Sequence, residues 1–336
     1  MAMLIVTLLM TLPFPDEYRD EVRDVMSLAL TERFAKADSV ARKVKDDLPD
    51  SPLGSLLRMA VLEFKMTDWS TDEGEEDLMA EFDRVNEMTL NVINNERDPA
   101  KRAKAHMFRG LALGFKAVHY ARRYQEVTNV LRGLKYGKEA LDEITRAQEL
   151  DSTLYDCYLA MGIYDLAISY AQKKVPWVQS ENRKKKGMAE LALATEKSEL
   201  FKPVAFLAYV YVYMYEGNPD LAIQYLRFLK TSYPGSRTLM WLETEVYLEN
   251  ERWYYAEESA KALLAEIEKK QPTCYVNQAE VHIYLARTRY HLGDKEGARE
   301  HLQKAADLLD KEKDPKRAGA VKKARGKLKD AEKEIK

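Results

Sequence analysis

Cysteine is nearly absent from this chain: Cys157 and Cys274 are the only two in 336 residues. So few thiols exclude the disulfide framework of a small secreted domain. Each lies in an apolar helical pattern, which predicts a buried free thiol. Histidine is scarce too. None of His106, His119, His282, His291 and His301 makes an HExxH motif or pairs with an acid at a zinc-like spacing, so no metal site is expected. Phosphate-binding glycine loops are missing, because Gly110 and Gly114 fall inside a helical stretch, whereas a phosphate cradle needs a loop before a helix N-terminus. No local nucleophile motif surrounds the serines. These absences predict neither catalysis nor a cofactor.

Charge of one sign is lacking as well. The 53 Lys and Arg face 55 Asp and Glu, and a net charge of -2 gives no general pull toward nucleic acid. The apolar run Leu4 to Leu12 is too short to span a bilayer. It resembles the core of a secretory signal, without a Lys or Arg before it or a small-x-small cleavage site after it. Three readings stand for residues 1–15: a truncated signal, a short helix packed through Leu4, Leu8, Leu9 and Leu12, or a membrane-tethered terminus. The signal reading carries a periplasmic or cell-envelope setting, against a cytoplasmic alternative.

What is present is helical periodicity, with 46% hydrophobic and 32% charged residues, as in a well-packed soluble chain. The organising stretch runs from Pro203 to Pro234. Two apolar segments flank Gly217-Asn218-Pro219, where Asn218 and Pro219 suit the N-cap and first turn of a second helix. The alternation of Tyr209, Tyr211, Tyr213 and Tyr215 would also fit a strand. The next unit decides against that, because Ala222 and Ala256 stand 34 residues apart, each nine after a tyrosine (Tyr213, Tyr247). A 34-residue helix-turn-helix period marks a repeat.

This spacing resembles the tetratricopeptide repeat. Phe206, Val210, Tyr213, Ala222, Leu226, Leu229 and Pro234 fall on its seven signature positions. Met240, Thr244, Tyr247, Ala256, Ala260 and Leu263 fill six in the next copy, and His282, Leu285, Ala286, Ala298, Leu302 and Ala305 fill the last clear unit. The resemblance implies an all-α, right-handed solenoid of about six antiparallel helix pairs with irregular central insertions. Residues 16–310 form the solenoid, and 311–336 a polar capping helix or frayed tail. Over about residues 100 to 310 the chain is also similar to a group of exported bacterial tetratricopeptide repeat proteins, through GLALGFKAVHYARR, Tyr155, Asp156, Tyr158, Gly162, Tyr164, VPWV and SYPGSRTLMWL. Met161 and Asp165 depart from that pattern. The group brings no activity with it.

Elsewhere, Asp68 to Asp77 reads as an exposed acidic linker, and Tyr124 to Leu134 as an interruption between helices. Arg183 to Lys186 reads as a solvated basic loop or a site for an anionic headgroup or partner, and Trp177 as a plug or a docking knob. Gly110 is expected at a close helix–helix approach.

In such a repeat the first helix of each pair lines the concave face. The register there places Leu207, Tyr211, Met214 and Tyr215, then Trp241, Glu245, Leu248 and Glu249, then Ile283, Arg287, Tyr290 and His291. Aromatic anchors with a few charges suit a protein or peptide segment. The expected role is a non-catalytic binding scaffold. The alternative is a small-molecule carrier in which the insertions close an apolar pocket around a hydrophobic ligand.

Overall fold

The computed structural model describes residues 18–122, 127–171, 181–197 and 202–335. The N-terminal apolar run and Trp177 lie outside them. Among the described residues there are fifteen α-helices and no strand. They are α1 (Arg19–Leu30), α2 (Phe34–Asp47), α3 (Leu53–Asp68), α4 (Glu75–Asn95), α5 (Pro99–Ala121), α6 (Val127–Leu150), α7 (Asp156–Ala171), α8 (Glu181–Lys197) and α9 (Lys202–Tyr215). The C-terminal series is α10 (Pro219–Ser232), α11 (Arg237–Glu249), α12 (Trp253–Lys270), α13 (Tyr275–His291), α14 (Lys295–Lys311) and, after a 3-10 turn at Pro315–Arg317, α15 (Ala318–Glu334). None of these helices is long and apolar enough to cross a membrane.

The helices form two compact units. Of the described residues, those from 18 to 65 and from 74 to 212 fall in one, and 66–73 with 213–335 in the other. In the first, sequential neighbours pack in pairs, most extensively α5 with α6 and α7 with α8. Small residues make those seams. A side chain on Gly110 would meet Ile144 and the Ala140 carbonyl, which is the close approach its position predicts. Gly162 and Gly187 face each other so closely that a Cβ on either would lie within 3 Å of the other's carbonyl oxygen. Charged groups buried in this unit are paired. Arg58 and Lys45 hold Glu81, and fully buried His119 lies between Glu63 and Glu75, with Arg122 on Glu63 at 2.6 Å.

Two expectations are corrected here. The Tyr124 to Leu134 interruption is largely helical, because α6 starts at Val127 and Gly133 sets its backbone against Ala117 and Ala121 of α5. Arg183 to Lys186 is no loop but lies within the first two turns of α8. Arg183 and Lys186 reach Asp165 at 2.9 and 3.0 Å, and Lys186 also reaches Glu190 at 3.3 Å. Asp165, one of the two departures from the exported group, is thereby an internal counter-charge.

In the second unit the repeat register is visible as burial. Ala222, Leu226 and Leu229 of α10 and Ala256, Ala260 and Leu263 of α12 have no exposed surface, nor do Ala298 and Ala305 of α14. Each second helix thus turns its small, evenly spaced residues inward, where only small residues let helices approach closely. Gly217, Gly235 and Gly293 take positive φ at the turns, a conformation that costs any other residue strain. Asn218, Ser236 and Asp294 cap the helices that follow, accepting from Leu221, Leu239 and Gly297. α15 lies on α13 and α14, burying Ala324, Leu328 and Ala331 in a cluster with Ile283, Ala305 and Leu309.

The segment 66–73 belongs to this unit and is no exposed linker. Asp68 and Thr71 are buried, and Trp69 packs on the α13–α15 cluster. Asp68 meets Arg237, Gln271 and Asn277, and the Cys274 thiol donates to the Trp69 carbonyl at 3.4 Å. An acidic stretch reads as solvated only while its counter-charges, far off in sequence, are out of sight. Both cysteines are free and buried. Burial pushes their thiols up, to about 12 for Cys157 and about 11 for Cys274, so neither is a nucleophile at neutral pH.

Candidate partner-binding face

α9 reads VAFLAYVYVYMY with no polar face, and a helix apolar all round is buried. Accordingly Leu207 and Tyr211 are 2% exposed and Met214 is 4% exposed, so these three cannot offer a groove surface. Leu248 and Ile283 are core residues as well. Tyr215, at the end of α9, remains half-buried, and burial with the Glu245 and Glu249 carboxylates nearby pushes its hydroxyl up to about 12.

The other expected residues gather on α11 and α13. Trp241 is half-buried: its body packs against the cluster of Ala260, Leu263, Ile267, Val281 and Leu285. Its ring meets that of Tyr284 edge to face, with centroids 5.9 Å apart. The Tyr284 hydroxyl donates to Glu245 at 3.3 Å and accepts from the Lys327 ammonium of α15 at 3.2 Å. Lys327 also pairs with Glu280, one turn before Tyr284. Tyr284 is therefore the hub joining Trp241 and Glu245 to α15. It was missed because the register pointed to Ile283, one residue earlier, and Tyr284 could have been found only by its spacing between Glu280 and Arg287.

The charges of this cluster are firmly set. Burial alone would raise the Glu280 carboxyl, but Lys327 and Lys323 outweigh it and hold it at about 2. Burial opposes the charged form of Lys327, yet Glu280, Tyr284 and Glu245 keep it protonated far above neutral pH, so it is no nucleophile. Burial likewise keeps Tyr284 protonated. Arg287 donates to Glu334 at 2.9 Å, and His291 meets the other oxygen of the same carboxylate at 2.7 Å while stacking on Trp253 at 3.9 Å. Tyr290 packs beside Ala286, Ala298 and Ile335, with the Lys295 ammonium 6.0 Å from its ring.

The structure brings together one pair that the sequence separates. The Nδ1 atoms of His282 and His301 lie 2.8 Å apart. Among the described residues no group of three or more His, Cys, Asp or Glu is arranged to hold a metal ion. The cluster around Tyr284 thus offers rings and fixed charges, which suit recognition better than proton transfer.

No protein-family model matches the chain, and no curated protein matches it. Among solved structures it is similar to a tetratricopeptide repeat protein from Parabacteroides merdae, at 13% identity and a TM-score of 0.42, over 94% of this chain and 100% of that one. The helical repeat shows in the 34-residue register and its complete burial in the second unit. In fold, the chain is an all-α helical-repeat protein with tetratricopeptide-like helix pairs.

Proposed function

We propose that the protein is a non-catalytic scaffold that binds a polypeptide partner along α11 and α13. The supporting observation is the placement of Trp241, Glu245 and Arg287, each half-buried, around the buried ring of Tyr284, which holds Trp241 edge to face and hydrogen-bonds Glu245. An aromatic body held by its neighbours loses little entropy on binding, and the flanking charges fix the orientation of a docking chain. Tyr215, near Glu245 and Glu249, and Tyr290, on α13, are half-buried as well. A cell-envelope setting accompanies the reading, supported by the apolar run Leu4 to Leu12; fractionation of cells expressing the full chain tests it.

The binding test is site-specific photo-crosslinking in the host cell. A photoreactive residue at position 241 should form a discrete polypeptide adduct that a Glu245→Lys change removes. The same probe at Gln303, exposed on α14, should form none. Equal labelling from both positions would sink the proposal.

A further inference from the structure

The histidine pair of the last repeat plays no part in partner binding. His282 of α13 and His301 of α14, nineteen residues apart, bring their Nδ1 atoms within 2.8 Å of each other, with ring centroids 5.1 Å apart. His282 is buried and His301 half-buried. At this distance one Nδ1–H donates to the lone pair of the other Nδ1, so two imidazoles already converge on one point from facing helices. His282 lies two residues from Glu280 and from Tyr284, roughly 200° round the helix from each, which places the pair away from the α11–α13 surface.

Both rings are neutral near pH 7, and neutral imidazole is the form that ligates metals. Burial lowers His282, with His301 and Lys304 adding to it. Burial with Lys304 and Arg289 lowers His301, against the pull of Glu300 and Glu257. The nearby cations do not bar a metal ion. Arg289 is neutralised by Glu257 at 2.5 Å and Asp294 at 2.8 Å, and Lys304 is exposed, where water and salt screen it.

We propose that His282 and His301 form a two-histidine site for a borderline divalent transition-metal ion, Zn2+ or Cu2+, with water in the remaining positions. A tetrahedral ion about 2.0–2.1 Å from each nitrogen needs the two nitrogens about 3.4 Å apart. The rings must therefore part slightly, which half-buried His301 accomplishes by a small side-chain rotation. The proton shared by the pair moves to Nε2 of its own ring, so binding releases no net proton at pH 7.5. Imidazole nitrogens favour Cu2+ over Zn2+ and offer nothing to Mg2+, which takes oxygen ligands. Because each helix supplies one ligand, the ion pins α13 to α14 and stabilises the folded chain. The proposal does not rest on the α11–α13 face.

The test is isothermal titration calorimetry of the chelator-treated full-length protein with ZnCl2 at pH 7.5, with thermal melts in parallel. Saturable binding of one equivalent is expected, together with a rise in melting temperature that Cu2+ reproduces at lower concentration and Mg2+ does not. His301→Gln and His282→Gln should each weaken Zn2+ binding at least tenfold and abolish the metal-induced rise. His291→Gln and His106→Gln, at histidines engaged with Glu334 and Glu143, should alter neither. Should metal-free melts show His282→Gln unfolded, His301→Gln alone decides, because its site is half-exposed. No saturable binding would overturn the proposal. So would binding that survives His301→Gln, which would be adventitious, or an equal response to Mg2+.

Discussion

Asp68, the last residue of α3, and Arg237, the first of α11, form a buried two-pronged pair at 3.1 and 2.6 Å across 169 residues of sequence. Burial pushes the Asp68 carboxyl up, against the pull of Arg237 and Gln271. Removing one partner leaves the other charge buried and uncompensated. Asp68→Ala should therefore cost about 3–5 kcal/mol by denaturant titration, and replacing both residues with apolar ones of like size should recover most of that. A loss below about 0.5 kcal/mol would mean the pair does not hold segment 66–73 in place.

The glycines make a prediction with opposite signs. Gly162→Ala puts a methyl group 2.9 Å from the Gly187 carbonyl and 3.0 Å from the Leu191 amide, both backbone atoms. The α7–α8 seam must open, at a net cost of about 1–3 kcal/mol. Gly326→Ala meets open space and should stabilise by about 0.5–1 kcal/mol through helix propensity. Thermal melts of the two variants should shift in opposite directions.

Acid should weaken the α13–α14 pair through its histidines. Burial lowers His282 to about 4, helped by His301 and Lys304, and burial with Lys304 and Arg289 lowers His301 against the opposing pull of Glu300 and Glu257. The folded value lies below the unfolded one, so the unfolded chain takes up its proton first. The stability involved is complete above about pH 6.5 and is lost as the pH falls toward about 4, amounting to roughly 3 kcal/mol for His282. Denaturation midpoints measured from pH 7.5 to 4.5 should fall, and His282→Gln should flatten the slope.

Lys327 should act as the latch of α15. Lys327→Met strands the Glu280 carboxylate beside Tyr284, which should cost about 3 kcal/mol and speed proteolytic cleavage near Lys313 to Arg317. Glu280→Gln combined with Lys327→Met should restore protection. Unchanged cleavage in the single variant would show that apolar packing of Leu328 and Ala331 suffices.

The repeat was legible because its signal is local. Ala222, Ala256 and Ala298 each sit where two helices cross and only a small side chain fits, so the spacing appears in the chain itself and then as complete burial. Of the residues expected on the concave face, Tyr215, Trp241, Glu245, Arg287 and Tyr290 keep some exposed surface. Leu207, Tyr211 and Met214 were misplaced because periodicity identifies a helix but cannot choose a face on one that is apolar all round.

Local periodicity, turn glycines and caps were enough to determine an all-α chain of paired helices, since each is a short-range preference of the backbone. Tertiary structure alone decided which charges are spent and which remain. Asp68 meets Arg237, Lys327 meets Glu280, and Glu334 turns inward to Arg287 and His291, while Lys322, Lys329 and Glu332 stay exposed on α15. Long-range ion pairs depend on distances that no residue spacing encodes, so the charge of a surface is known only once its partners are.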